Sequence, residues 1–227
     1  MLVENKCIVL LSGGLDSTTA LAVARKEGFD CIALTFRYGQ RHSTEIDRAI
    51  VIAKEYDCLD HKVIDVPIGA YGQSALTDTK MNIPKHDGSS GIPVTYVPAR
   101  NLIFLSLAVG WAEALKIRNI FIGVNAIDYS GYPDCRAEFI NSFQETANLG
   151  TKYGVSGSQI KIHTPLIALS KSEIILKGIS LGVNYQKTVS CYQLDDEGRG
   201  CSICDSCVYR KNGFLEAGVK DPTIYQC

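Results

Sequence analysis

Apolar residues are arranged along this 227-residue chain in two textures. Cys7 to Leu11 is a short unbroken apolar run, and Cys31 to Phe36 and Asn119 to Val124 are mostly apolar runs of similar length. Such runs suit strands covered on both faces of a parallel sheet. His61 to Val66 and Ile160 to His163 predict two shorter strands. Between them the period lengthens. A helix is predicted from Leu15 onward, another over Glu45 to Tyr56 on Ile46, Ala49, Ile50 and Ala53, and a third over Glu138 to Thr151. Residues 100–116 are apolar nearly all round, as in a helix buried between layers or set at a subunit contact. Ser170 with Glu173 three residues on is a capping box that opens a further helix. Strand and helix alternating in this way predict an α/β fold with a doubly wound, mostly parallel five-stranded sheet. Residues 67–98 interrupt the rhythm with four glycines and four prolines. The segment is long for a plain connection and reads as a functional or mobile loop.

Composition narrows the class. With 46% hydrophobic and 21% charged residues the chain has material for a sizeable core. A formal net charge of −1 gives no general pull toward nucleic acid or an anionic membrane, so neither is an expected direct partner. The stretch before the first strand is too short and polar for a targeting segment, and no apolar run is long enough to span a bilayer. Four of the nine cysteines crowd between positions 191 and 207. That clustering points to metal binding in a reducing, cytoplasmic setting more than to disulfides. An α/β domain over residues 1–189 with a cysteine-rich tail, 190–227, packed on it is the expected organisation.

The most informative stretch is Ser12-Gly13-Gly14-Leu15-Asp16-Ser17, between the first strand and the first helix. A strand, a small-residue turn and a helix N-terminus form an anion site, because first-turn N–H groups and the helix dipole face the ligand. Ser12, Ser17 and Thr18 add hydroxyls. Phosphate is the expected anion. No Gly-Lys-Ser/Thr closes the loop, and the third glycine of the dinucleotide fingerprint is missing. The blander reading is a Gly-Ser turn without a ligand. The stretch resembles instead the SGGxDS pyrophosphate loop of ATP pyrophosphatases, which form an adenylate and release pyrophosphate.

Three further groups fall at the same sheet edge. Thr35 to His42 could cradle an adenine on its backbone, with Arg37 and Arg41 as cations; a solvated basic turn is the alternative. Arg100 opens its helix against the dipole, which calls for an anionic partner, either a phosphate or a nearby Asp. Lys171 is placed similarly after Ser170. Asp128 to Arg136 offers two rings, two carboxylates and an arginine, a set suited to a flat hydrogen-bonding heterocycle or, more plainly, to a surface turn. Cys135 has no histidine near it in sequence and receives no role.

Cys191, Cys201, Cys204 and Cys207 are spaced C-x9-C-x2-C-x2-C. Four thiolates so placed suit one structural zinc ion, worth about 10 kcal/mol to the folding of the tail. An iron–sulfur cluster is the alternative, although the proline that usually follows the last cysteine is missing.

Taken together, SGGLDSTT, TFRYGQRH, VPARN, DYSGYPDCR, HTPL and the four-cysteine tail resemble the 7-cyano-7-deazaguanine synthase family of the queuosine pathway over nearly the whole chain. The resemblance implies an adenine nucleotide alpha-hydrolase-like fold with a small zinc-binding lobe. It implies a homodimer that converts 7-carboxy-7-deazaguanine and ammonia to the nitrile through an adenylated acid and an amide. AMP and pyrophosphate would be released, with ATP, magnesium and one zinc ion as cofactors. Asp16, Arg100 and Lys171 are the expected catalytic residues. The expected nucleotide contacts are Leu11, Ser12, Gly13, Gly14, Leu15, Asp16, Ser17, Thr18 and Thr19, with Phe36, Arg37 and Gly123. Asp128, Tyr129, Tyr132, Pro133, Asp134 and Arg136 are the expected substrate contacts. A tRNA-thiolating adenylating enzyme and a non-enzymatic nucleotide-binding zinc protein are the competing readings.

Overall fold

The computed structural model describes residues 5–88, 91–126 and 131–226. Five strands form one sheet: β1 (Lys6–Leu10), β2 (Asp30–Arg37), β3 (Asp60–Asp65), β4 (Asn119–Phe121) and β5 (Lys161–His163), in the order β3-β2-β1-β4-β5 and all parallel. Among the described residues seven α-helices accompany them: α1 (Leu15–Lys26), α2 (Thr44–Glu55), α3 (Arg100–Leu115), α4 (Ala137–Gly150), the short α5 (Lys152–Val155), α6 (Lys171–Ser180) and α7 (Asp205–Glu216). The strand order reverses between β1 and β4, which makes the C-terminal ends of those two strands the place where a crevice opens.

Both faces of the sheet are covered, the physical reason for the unalternated strand sequences. Along β1, Cys7 and Val9, continued by Leu11, pack toward α1 and α2, while Ile8 and Leu10 pack toward α3 and α4. The expected Ile50 contact in α2 is not made: Ile50 is exposed, and Ile52 is buried with Ile46, Ala49 and Ala53. The buried stripe is rotated by part of a turn from the one the pattern suggested. α3 is apolar all round yet covered on one side only, so Leu102, Leu107 and Leu115 are exposed. β4 stops at Phe121, short of the expected Val124, because the chain turns at Gly123 against the first turn of α1.

Residues 67–98 are anchored along their described length. Ile68, Ala75, Leu76, Ile83 and Val97 are buried in the main core. Arg41 donates to the carbonyls of Ala75, Asp78 and Met81 and holds the segment over the sheet edge. The tail contains a helix that sequence periodicity did not indicate. α7 packs Phe214 with Leu15, Ile174, Ile175 and Tyr185, a burial worth about 2–3 kcal/mol for one large apolar side chain.

Gly13 shows what the phosphate-type loop requires of its backbone. It has φ +78°, and a Cβ there would be 2.3 Å from the Glu45 carbonyl oxygen and 2.8 Å from the Ala49 nitrogen, both backbone atoms of α2. Gly182 has the same φ but nothing within 4 Å. Gly182→Ala therefore carries only the left-handed penalty of about 1 kcal/mol, a melting-temperature loss of about 2–4 °C in a chain this size. Gly13→Ala adds the collision with α2 and is expected to lose at least twice as much in a thermal melt. Equal losses would show that close packing of α2 is not what the glycine serves.

Candidate active site

A cavity of about 240 Å³ opens at the C-terminal ends of β1, β2 and β4. Its floor is the loop from Leu11 to Ser17. Gly14 precedes α1 in extended conformation, the first helical hydrogen bond runs from the Thr18 N–H to the Gly14 carbonyl, and no side chain caps the helix. The N–H groups of the first turn are thus left for a ligand. The turn is held instead by small hydroxyls: Ser12 and Ser17 hydroxyls lie 3.0 Å apart, and the Ser17 and Thr18 hydroxyls donate to the Gly14 carbonyl. Gly123, at the end of β4, completes the cradle. A Cβ there would be 2.8 Å from the Asp16 carbonyl group, so only glycine lets β4 approach α1 this closely.

Asp16, on that first turn, accepts two hydrogen bonds from the Lys171 ammonium, at 2.8 and 2.9 Å. The side chains are 17% and 7% exposed, which places the pair out of bulk solvent but on the cavity wall. The capping box found from sequence is formed, Ser170 accepting from the Glu173 N–H and Glu173 from the Ser170 N–H. It fixes the start of α6 and with it the root of Lys171.

Across the cavity, Arg100 opens α3 and lies over the Tyr38 ring at 5.8 Å. The anion at the start of this helix is Asp134, whose carboxylate accepts from the Asn101 N–H at 2.8 Å. Burial pushes the Tyr38 hydroxyl up to about 12 although Arg100 opposes it. The Cys135 thiol is also pushed up by burial, to about 12, and accepts from the Asn101 amide, so it is not a nucleophile at neutral pH. Glu45 faces the same space. Desolvation raises its carboxyl from 4.5 to about 7, and Arg100 pulls it back.

Of the residues expected from sequence, Leu11, Ser12, Gly14, Leu15, Asp16 and Ser17 line the cavity, as do Phe36, Arg100, Gly123, Tyr132 and Lys171. Gly13 and Thr18 support the floor from behind. Thr19 is fully buried and bonds the Leu15 carbonyl and the Tyr185 hydroxyl. Arg37 points outward, in an exposed pair with Asp65 at 2.6 Å. Asp134 is a helix cap, Pro133 opens a single 3-10 turn, and Arg136 is exposed at the start of α4. Asp128 and Tyr129 lie outside the described residues. Sequence reasoning missed Glu45 and the whole far wall, formed by Val189, Ser190, Tyr192, Ser206 and Arg210. The signal for that wall was present: Cys207, Arg210 and Phe214 recur at helical spacing.

Cys191, Cys201, Cys204 and Cys207 come together with all four sulfurs within 4.8 Å of one another. The N–H groups of Gln193 and Cys201 point at the Cys191 sulfur. Four thiolates around one ion at about 2.3 Å stand about 3.8 Å apart, so this spacing fits a single tetrahedral ion. Thiolates on the separate irons of a cluster would be spread wider. Without a cation the group cannot ionise together. Hydrogen bonds from Cys191 and Cys207 draw Cys204 down, while the same bonds push Cys191 and Cys207 up.

Comparison with known proteins shows the family of the chain. Residues 6–218 match the profile of a family described as queuosine biosynthesis protein QueC. Proteins named 7-cyano-7-deazaguanine synthase from Cellvibrio japonicus (strain Ueda107) and Methylococcus capsulatus (strain ATCC 33009 / NCIMB 11132 / Bath) are 56% and 57% identical to the chain. The alignments cover 98% and 96% of this chain and 98% of each relative. Among solved structures, an NMN synthetase from Francisella tularensis superposes with a TM-score of 0.53 at 19% identity, over 96% of this chain and 78% of that one. A 4-thiouridine synthetase in complex with RNA and bound ATP gives 0.54 at 17% identity, over 97% and 47%. At such identities the two structures establish a common fold.

Two outcomes test this geometry. The Glu45 carboxyl, raised in the folded chain, holds a proton that the unfolded chain releases from about pH 4.5 upward. Its contribution to stability therefore falls as pH rises from 4.5 to about 7 and is level beyond. The stability difference between Glu45→Gln and the parent chain, measured by urea denaturation, should shift in favour of the variant across that window; a constant difference refutes the assignment. Cys204→Ser should give insoluble or metal-free protein by elemental analysis, whereas soluble, fully metallated protein would remove Cys204 from the ligand set.

Proposed function

Because the chain belongs to the family of the queuosine biosynthesis protein QueC, we propose that its cavity performs the reaction its relatives are named for, the synthesis of 7-cyano-7-deazaguanine. It is an ATP-dependent carbon–nitrogen ligase acting on 7-carboxy-7-deazaguanine and ammonia. The observation that carries the reading is an uncapped helix N-terminus beside a paired Asp16 and Lys171, at the reversal of strand order.

The chemistry asks little of a protein base. The substrate carboxylate is already a nucleophile at neutral pH, and it attacks the α-phosphorus of ATP. The bond to the bridging oxygen breaks and pyrophosphate leaves. Charge then grows on the departing group, where the Gly14 to Ser17 backbone, the Ser12 and Ser17 hydroxyls and the Lys171 ammonium stabilise it. Lys171 sits between Asp16 and the incoming phosphates, which compete with the carboxylate for it. Magnesium, when bound, would be held by the phosphates with Asp16 and would spread the same charge. Arg100, a further cavity cation named from sequence, is placed to steady the acid or its adenylate. Ammonia displaces AMP from the acyl adenylate and gives the amide. In a second round the amide oxygen attacks ATP, and loss of AMP with the remaining N–H protons leaves C≡N. Both rounds use one cradle because both expel pyrophosphate from the same position.

The adenine lies over the turn after β2, against Phe36, and the heterocycle beside Tyr132. Thr18 and Thr19 act by holding the turn, and Arg37, Asp134 and Arg136 lie outside the cavity. The four cysteines bind zinc. None of the eight described cysteines is in a disulfide, in keeping with a reducing cytoplasm. Among the described residues no helix is long and apolar enough to cross a membrane. Two copies would pair to form the homodimer, covering apolar surface such as the exposed side of α3. The tRNA-thiolating reading rests on a shared fold alone, whereas the synthase reading rests on relatives alike over their whole length.

Mass spectrometry of products from the deazaguanine acid, ATP and ammonium should show amide and then nitrile, with pyrophosphate release dependent on the deazapurine. Asp16→Asn and Lys171→Ala should each lower the rate by about 10²-fold or more, the scale for losing a group that stabilises transition-state charge, with circular dichroism unchanged. Metal-replete protein that releases no pyrophosphate would refute the function.

A further inference from the structure

One face of α7 touches three parts of the molecule. Cys207, near its start, belongs to the metal cluster. Arg210, one turn on and only 2% exposed, donates four hydrogen bonds: to the Thr188 hydroxyl at 2.8 Å, the Ser190 hydroxyl at 3.3 Å, the Tyr185 carbonyl at 3.0 Å and the Asp221 carboxylate at 3.1 Å. Gly213, a further turn on, lies against the stem of Lys171, where a Cβ would be 2.3 Å from Lys171 Cγ.

The strand of chain that Arg210 holds is the outer wall of the phosphate loop. The Val189 N–H donates to the Gly13 carbonyl at 3.0 Å, and the Val189 carbonyl oxygen is 3.3 Å from where a Gly14 Cβ would be. Two residues after Val189 the chain reaches Cys191, a metal ligand. The segment is therefore fixed at one end by the cysteine cluster, at its middle by the phosphate loop and along its side by Arg210. Any displacement of the cluster moves the wall against which Gly13 and Gly14 are set.

We propose that Arg210 is a positioning residue that couples the cysteine metal site to the phosphate loop, so that nucleotide and metal each tighten the hold on the other. This rests on the cavity being the nucleotide site. Arg210 has four of its five N–H groups occupied within the protein and acts through Ser190 and Val189, not as a phosphate ligand. Coupling of this kind is reciprocal. If the metal lobe holds the loop in its binding shape, bound nucleotide must hold the metal lobe in its metal-binding shape.

The test is the rate at which the full-length, metal-loaded protein releases its metal into excess chromophoric chelator, with and without saturating magnesium–ATP. ATP binding is measured separately by equilibrium dialysis. Free ATP is itself a weak chelator and can only speed release, so slowing reports the protein. ATP should slow release about tenfold, within the usual range for coupled sites. Arg210→Met should bring the ratio near one and raise KM for ATP more than it lowers kcat. Arg210→Lys, which keeps the charge but not the fork, should fall between. A residue that served stability alone would lower the melting temperature and leave the ratio unchanged. If Arg210→Met does not fold, Asp221→Ala, which removes one of the four acceptors, should still reduce the ratio. Wild-type protein that binds ATP yet releases metal at an unchanged rate overturns the coupling, as does a soluble Arg210 or Asp221 variant with the full ratio. Protein that binds no ATP overturns the nucleotide reading and the coupling with it.

Discussion

The site depends on backbone meeting backbone at the first turn of α1. Gly13 meets the start of α2, Gly14 the carbonyl of Val189 and Gly123 the peptide of Asp16, each at a separation that leaves no room for a relaxed Cβ. These contacts hold the turn from three sides without using its N–H groups. A side-chain cap would satisfy those groups more simply and would also block an anion. Here the strain of a left-handed residue and of tight packing takes the place of a cap, and the donors stay open at the mouth of the sheet.

Electrostatics follow from that choice. An open helix N-terminus favours an anion by up to about 1 kcal/mol at a surface and by more in a partly buried cleft. Asp16 occupies part of that role at rest, and Lys171 keeps it from being an unpaired buried charge. The pair does two things at once. It neutralises the cleft when no nucleotide is bound, and it stores a cation within reach of the phosphates. Lys171 is set by the capping box behind it and by Gly213 of α7 beside it, so the root and the stem of the side chain are fixed by two successive helices, α6 and α7.

How much of this was legible in the sequence differs by the range of the interaction. The strands and the loop after β1 were legible because burial on two faces and a Gly-Ser turn are local patterns. The capping box was legible for the same reason. Ile50 was misplaced because a period identifies a stripe but not the centre of the surface it packs on. Asp134 was assigned to substrate because a carboxylate among aromatic rings looks the same whether it faces a ligand or the N–H of Asn101, thirty-three residues away in the chain. Thr19 sits one residue beyond the hydroxyls that shape the loop, and only the fold shows that its partner is Tyr185. α7 was overlooked because its cysteines drew attention as ligands, although the same spacing of three and four residues that gathers a metal site also makes a helical face.

The titratable groups of the cavity bear on the chemistry as much as its cations do. Burial holds the Tyr38 hydroxyl and the Cys135 thiol at about 12, so neither ionises at neutral pH. An enzyme that used a protein nucleophile would need the opposite: a thiol drawn down by a cation or a helix N-terminus. In nitrile synthesis by adenylation every nucleophile is brought by a reactant: carboxylate, ammonia and then amide oxygen. A reactive thiol in such a cleft would capture the acyl adenylate before ammonia did. Cys135, pushed up by burial and tied to the Asn101 amide, is not a thiol of that kind. The cavity thus combines open backbone donors and cations with buried hydroxyl and thiol groups that burial keeps from ionising, which is the division of labour the proposed adenylation calls for.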